Sequence, residues 1–199
     1  MTTAAAQPTR AYEMTARAAS TDETRANILR ATFALSAEKL GAEIVLADVA
    51  QRSGVTVKTI LRHFGSREAL FDAVIEFATS EVRDERSSPV GDIDAAIAAV
   101  HAHYELRGDW VMRMLGQELS DPRIHAIVAS GRDVHREWVE STFSPQLTAL
   151  DDRVAAIDLL VVATGIYTWK LLRRDRGLST EETQQRVRAL VRAVLKEGN

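Results

Sequence analysis

The stretch from Leu46 to Phe64, LADVAQRSGVTVKTILRHF, constrains this chain more than any other. It reads as a helix, a tight turn and a second helix, the arrangement that sets one helix in the major groove of DNA. Leu46, Val49 and Ala50 form an apolar stripe at helical spacing, and Ala50 is small enough for another helix to cross closely. Gly54 falls where the chain must turn sharply, and glycine takes a positive φ there without steric penalty. Val55 fills the corner, Thr56 is placed to cap the next helix with its hydroxyl, and Ile60 and Phe64 anchor that helix inward. Val57, Lys58, Thr59, Leu61, Arg62 and His63 are left facing outward or sideways. Methyl groups, a hydroxyl and several donors on one short helix suit base edges and phosphates.

The same turn between short helices also occurs in plain helical proteins, so the flanks decide its meaning. Directly after Phe64 comes GSREALFDAVIEFA, a new helix with Ser66 as its cap. Before the stretch, TDETRANILRATFALSAEKLGAE supplies an amphipathic helix closing near Gly41. Helix, helix-turn-helix, then a helix opening Ser-Arg-Glu-Ala-Leu resembles the TetR family of transcriptional regulators. Ile28, Phe33, Gly41, Val49, Ala50, Gly54, Val55, Thr59, Ile60, His63, Phe64, Arg67, Glu68 and Leu70 stand in the family's register. The resemblance covers residues 22 to 78 in detail and the remainder in layout.

That resemblance implies an all-α fold of about nine helices. A three-helix DNA-binding domain would come first, then a helical effector-binding and dimerisation domain. The expected division is a flexible arm over residues 1–20, the DNA-binding domain over 21–66 and the second domain over 67–199. The resemblance also implies a homodimer on a palindromic operator, acting most often as a repressor released by a small molecule. Val57, Lys58 and Thr59 are the base-reading candidates; Thr56, Arg62, His63 and Arg67 are the phosphate candidates, joined more loosely by Thr24 and Arg25. Two departures remove phosphate hydrogen bonds. Ile44 and Val45 stand where the family usually has a Thr or Ser cap, and Leu61 where it usually has a tyrosine. Lys58 occupies a place where glycine is common, and Arg62 adds a second cation. Charge contacts from Lys58, Arg62 and Arg67 would then replace the lost hydroxyls.

Charge distribution fits this division better than total charge does. The net charge of −3 argues against a general nucleic-acid binder. Residues 1–66, however, hold 8 Lys/Arg and 6 Asp/Glu, while residues 67–199 hold 17 and 22, so the basic share sits with the helix-turn-helix. The chain lacks cysteine, which leaves no disulfide framework and no thiolate chemistry. Residues 1–20 lack a signal peptide's apolar core, which makes the cytoplasm the expected compartment. Arg10 and Arg17 in this arm could reach the backbone or minor groove beside the main contact.

Beyond the reading head, the first helix is expected from Thr21 and the fourth from Arg67 to about Arg83. RDERSSPVGD reads as a linker before an Asp92 cap. Gly108 and Asp109 are expected to break the fifth helix before a short sixth, Trp110 to Leu119. Asp121-Pro122 starts a seventh, and Ser144-Pro145 interrupts it. The eighth, about 151–175, is unusually apolar, although the run Ala155 to Trp169 is too short for a membrane span and contains Asp158. Ser179 to Glu182 forms a capping box opening the ninth, about 180–196. Surplus apolar surface on these last two helices points to a four-helix dimer bundle; core packing within one chain is the other reading.

Sites of other chemistry are sparse. There is no phosphate-binding glycine loop, esterase elbow or His-Glu-x-x-His. In HAHYE, His101 and Glu105 lie four apart and could share a metal, but two ligands do not make a site, so no metal and no cofactor is expected. For the effector, Phe77, Tyr104, Trp110, Met114, Trp138 and Tyr167 could line an aromatic cavity, with His103, Arg113 and His135 orienting its occupant. Such walls favour a flat or greasy ligand. The rival class is an all-helical binding protein or enzyme using that cavity between the fifth and seventh helices.

Overall fold

The computed structural model describes residues 10–39 and 43–196. Every regular element among them is helical: α1 (Arg10–Glu38), α2 (Leu46–Ser53), α3 (Val57–Phe64), α4 (Arg67–Glu85), α5 (Ile93–Leu115), α6 (Pro122–Thr142), α7 (Ser144–Leu147), α8 (Arg153–Thr164), α9 (Ile166–Trp169), a π-helical turn (Lys170–Asp175) and α10 (Thr180–Lys196). The chain divides into two compact units between Ala78 and Thr79, inside α4. The expected division at residue 66 falls earlier. The first turns of α4 belong with the helix-turn-helix, because Leu70 and Val74 are buried and Phe77 packs edge-on to Phe33 at 6.2 Å.

The first unit closes around Ile28, Leu29, Phe33, Ile44, Val49, Ile60 and Leu70. Helix α1 is helical from Arg10, well before the expected start at Thr21, so the second half of the expected arm is helix. The arm's first nine residues and Gly41 lie outside the described residues, as do the side chains of Arg10 and Arg17.

The second unit is built on α5, α6, α8 and α10. Its core joins Ile97, Val139, Phe143, Leu147, Ile157, Leu160, Val187 and Val191. Three helix starts are capped by the side chains expected: Asp92 accepts from Ala95 N, Asp121 from Arg123 N, and Ser179 and Glu182 form a reciprocal capping box.

Two boundaries differ from expectation. Gly108 does not break a helix; α5 runs through it to Leu115. An added Cβ at Gly108 would come within 3.0 Å of three ring carbons of Trp169, so the glycine makes room for an indole instead of a turn. Conversely, the expected continuous eighth helix breaks at Gly165, whose ψ of 162° is extended. A Cβ there would stand 2.7 Å from the Val161 carbonyl oxygen. The break frees carbonyls that side chains then satisfy: Tyr104 Oη donates to Thr164 O at 3.2 Å, and Thr168 Oγ1 to Val162 O at 2.6 Å.

The span Arg153–Asp175 reaches the length and apolarity of a membrane helix, against the expectation from the shorter run Ala155 to Trp169. One face of it is core, through Ala156, Ile157, Leu160 and Ala163. Its other face leaves Val154, Leu159, Val162, Tyr167 and Leu171 more than half exposed.

Candidate nucleic-acid interface

Helix α3 is short, and isolated helices of this length are unstable in water. Its shape therefore depends on neighbours. Thr56 caps it, the hydroxyl accepting from Thr59 N at 3.1 Å and sharing a hydrogen bond with Thr59 Oγ1 at 3.0 Å. Gly54 takes φ +69° between α2 and α3, and Gly65 takes φ +83° at the far end, where its N–H donates to Leu61 O. Ser66 Oγ then accepts from Ala69 N and opens α4. Ile60 is fully buried beneath the helix.

The support beneath α3 is tied to α1 by polar contacts. Asn27 Nδ2 donates to Ser53 O at 2.7 Å, holding the last carbonyl of α2 just before the turn. Two ion pairs, Lys39–Asp48 at 2.8 Å and Arg52–Glu38 at 2.7 Å, join the same helices on the surface. The Lys39 ammonium hydrogen-bonds the Asp48 carboxylate and holds its pKa below the usual range. These acids are thus neutralised locally.

Outward from this base, Lys58 and Arg62 are exposed, Leu61 is 40% exposed, and Val57, Thr59 and His63 are half-buried. The helix contains no acidic residue, and neither Lys58 nor Arg62 forms an ion pair among the described residues. The structure thus brings six of the seven DNA-contact candidates, Thr56, Val57, Lys58, Thr59, Arg62 and His63, onto one capped helix and its cap.

Arg67 is placed otherwise. Its Nε and Nη2 both donate to Ile44 O, at 3.2 and 3.1 Å, and its guanidinium lies 4.5 Å over the Phe71 ring. Those groups secure the segment leading into α2, the place where a capping Thr or Ser is missing. Thr24 Oγ1 donates back to Ser20 O, and Arg25 lies 5.0 Å over the Phe64 ring, so both have partners within the unit. Asn27 as a brace was missed by sequence reasoning; an Asn inside a helix carries no pattern that names its partner.

The effector candidates separate into groups. Phe77 packs on Phe33 within the first unit. In the second unit, His103 and Tyr104 rings are 5.5 Å apart, and Trp138 stacks on His135 at 5.6 Å and 15°. Between these pairs stands Arg86, from the stretch expected to be a linker. Its guanidinium lies 5.3 Å from the Tyr104 centroid, and Nη1 lies 3.3 Å from His135 Nδ1. Because arginine has no acceptor, His135 Nδ1 accepts, and its Nε2–H donates to Thr164 Oγ1 at 3.2 Å. Burial, reinforced by the Arg86 charge, lowers the pKa of His135 to about 3 and of His103 to about 4. His103 Nδ1–H is thus the donor to Glu85 Oε2 at 2.6 Å, and Arg107 grips the same carboxylate with Nε and Nη2. Trp110 and Met114 are half-buried, Arg113 is exposed, and Tyr167 is 59% exposed. Within the second unit the structure thus gathers Tyr104 and His135 at Arg86, with His103 and Trp138 packed beside them.

A cleft of about 390 Å³ does open in this unit, bounded by the end of α4, the following segment and α6. Of the candidates only Trp138 lines it; the others on its wall include Arg83, Arg86, Ser88, Val134 and Glu137. Among the described residues no group of three or more His, Cys, Asp or Glu is placed to hold a metal ion.

The sequence and the fold both have counterparts. Residues 28–74 match the family model described as bacterial regulatory proteins, tetR family. A stretch of 58 residues is 41% identical to the nucleoid occlusion factor SlmA of Marinobacter nauticus, spanning 29% of this chain and 30% of that protein. The alignment thus covers less than a third of that relative's length. Among solved structures, Salmonella enterica GusR superposes with a TM-score of 0.64 at 18% identity, over 87% of this chain and 96% of that one. A tetR-family transcriptional regulator from Streptomyces coelicolor gives 0.60 at 19% identity, over 89% of this chain and 84% of the other. At these identities the structures attest the fold. The match over residues 28–74 makes this part of the chain similar to the bacterial regulatory proteins of the tetR family.

Proposed function

We propose that the protein is a transcriptional regulator that binds duplex DNA through α3 as a homodimer. It acts as a repressor and is released by a small effector held in the second unit. The observation carrying this reading is that α3 is capped, acid-free and anchored by a fully buried Ile60, while Lys58 and Arg62 are exposed and form no ion pair among the described residues. Val57 and Thr59 read bases, Thr56, Arg62 and His63 meet phosphates, and Lys58, placed among the base readers, supplies a charge contact to phosphate in place of a lost hydroxyl. Arg67 acts as a brace for the helix pair.

Dimerisation is assigned to 151–175 and 180–196. The support is the exposed apolar face of Val154, Leu159, Val162, Tyr167 and Leu171, with Leu190 on α10. Apolar side chains in such number on one span are unusual for a free surface. A two-fold dimer requires an inverted-repeat operator whose half-sites lie one or more helical turns apart. The effector acts by stabilising a dimer state with poor affinity for that operator, a shift of population between two states.

Selection of bound DNA from a random pool tests the proposal. The expected product is an inverted repeat, and the purified complex contains two chains per half-site pair. Absence of enrichment, or enrichment of a single asymmetric site, refutes it.

A further inference from the structure

The cleft of the second unit contains a charge without a counter-charge. Arg86 is 7% exposed, and among the described residues no carboxylate forms an ion pair with it. Glu85, its chain neighbour, is already committed to Arg107 and His103. The groups that do face Arg86 are an acceptor nitrogen of His135 and the π-face of Tyr104. Its Nε–H is buried with no partner among the described residues, and so is Ser88 Oγ on the same cleft wall. A buried charge and a buried unpaired donor are both unfavourable unless something completes them. Histidine or lysine in this place could shed a proton; a guanidinium cannot. The site is thus positively charged and short of an anionic acceptor.

The remaining wall defines what carries that anion. Trp138 and Val134 give the cleft an apolar side, and Trp138 is fixed by its Nε1–H donating to Arg86 O at 3.0 Å and by its stack on His135. At the rim, Arg83 and Glu137 neutralise each other at 2.9 Å, so the rim adds no net charge. The volume is at the small end of small-molecule sites.

We infer that the effector is an organic monocarboxylic acid with a compact apolar or aromatic body. Its carboxylate pairs with the Arg86 guanidinium and accepts from Ser88, and its body lies against Trp138 and Val134. This deepens the proposed regulator by naming its ligand class. It also moves the site away from most of the residues that aromatic content had singled out. A carboxylate matches the planar donor edge of a guanidinium, and charge-assisted pairs of this kind are the strong ones.

The test uses the full chain without DNA, so it stands or falls separately from operator binding. Benzoate, phenylacetate and 1-naphthoate, each beside its neutral amide, are titrated calorimetrically at constant ionic strength, with inorganic phosphate as the anion control. At least one acid is expected to bind tenfold or more tightly than its amide and than phosphate. In Arg86→Met that preference is expected to vanish, and in Ser88→Ala the acid is expected to bind at least threefold more weakly with the amide unchanged. The acid–amide comparison in the unaltered protein holds even if Arg86→Met fails to fold. Acids that bind no better than their amides or phosphate, or that show no binding at 5 mM, overturn the inference. So does a preference that survives in folded Arg86→Met.

Discussion

Removing the two cations of α3 that have no ion-pair partner among the described residues provides the sharpest test of the proposed contact with DNA. Lys58 and Arg62 are exposed, on a helix without acids, and neither has an ion-pair partner among the described residues. Arg67 is excluded from the count because two of its N–H groups are held by Ile44 O. Each subunit then contributes two cations and a dimer four. Each phosphate neutralised adds about −0.9 to the slope of log K against log salt, so the four together contribute roughly −3.6. Between 50 and 200 mM salt, that share alone weakens binding by about 150-fold.

The double variant Lys58→Ala, Arg62→Ala is therefore expected to retain its fold and lose about 3.6 units of slope. The assay is fluorescence anisotropy on DNA selected by the unaltered protein, repeated across that salt range. Ile60 and the Thr56 cap lie apart from the substitutions, so thermal stability is expected to change by less than about 1 kcal/mol. A slope that stays the same in a folded variant would refute the placement of these two side chains against phosphates. A loss near half the stated value would mean that one of them, Lys58 by its place on the helix, meets a base edge instead of a phosphate.

Four further outcomes follow from the same structure. Arg67→Met should destabilise the first unit by about 2 kcal/mol, from the loss of charge-assisted hydrogen bonds to Ile44 O, while leaving the salt slope intact; urea unfolding and anisotropy read the two separately. Gly108→Ala should destabilise by roughly 1–3 kcal/mol despite alanine's better helix propensity, because the new methyl meets the Trp169 ring; a raised Tm would contradict that packing. Val162→Glu should convert the proposed dimer to monomers by light scattering, since it sets a charge in the exposed apolar face; a persistent dimer at micromolar protein would remove that face from the interface. Stability should also fall in acid. His135 and His103, at about 3 and 4 when folded, stay neutral where unfolded histidine protonates, so their contribution is complete above the unfolded value of 6.5 and fades as pH drops from there to 4 and then 3. Each adds roughly 1.4 kcal/mol per pH unit within its window. Urea titrations between pH 7 and 4.5 should show the fall, and His135→Gln should make it shallower.

The parts legible in the sequence share one property: local chemistry specified them. Thr56, Asp92, Asp121 and Ser179 were readable as caps because a cap needs only a side-chain oxygen and a following helix. Gly54 was readable as a left-handed turn for the same reason. The misread parts depend on contacts remote in sequence. Gly108 looks like a break until Trp169, far along the chain, is seen to occupy the missing Cβ's place. Gly165 looks harmless inside an apolar run until Tyr104 supplies the donor that makes a break affordable there.

The two candidate sites divide along the same line. A helix-turn-helix is one turn and a few side chains in fixed register, so the cap, the anchor and the outward positions of α3 are legible from spacing. A ligand cleft has no such register. Aromatic content identified Trp138 but also Phe77, which packs elsewhere, and Tyr167, which lies on the surface. Arg86 was passed over because Arg-Ser-Ser-Pro reads as solvated linker, and it is buried because His135 and Trp138 of α6 close around it. Nothing in its neighbours along the chain marks it as lacking a counter-ion. Only when Glu85 is seen to be taken by Arg107 and His103 does the unpaired charge at Arg86 become visible, and with it the chemistry that would satisfy it.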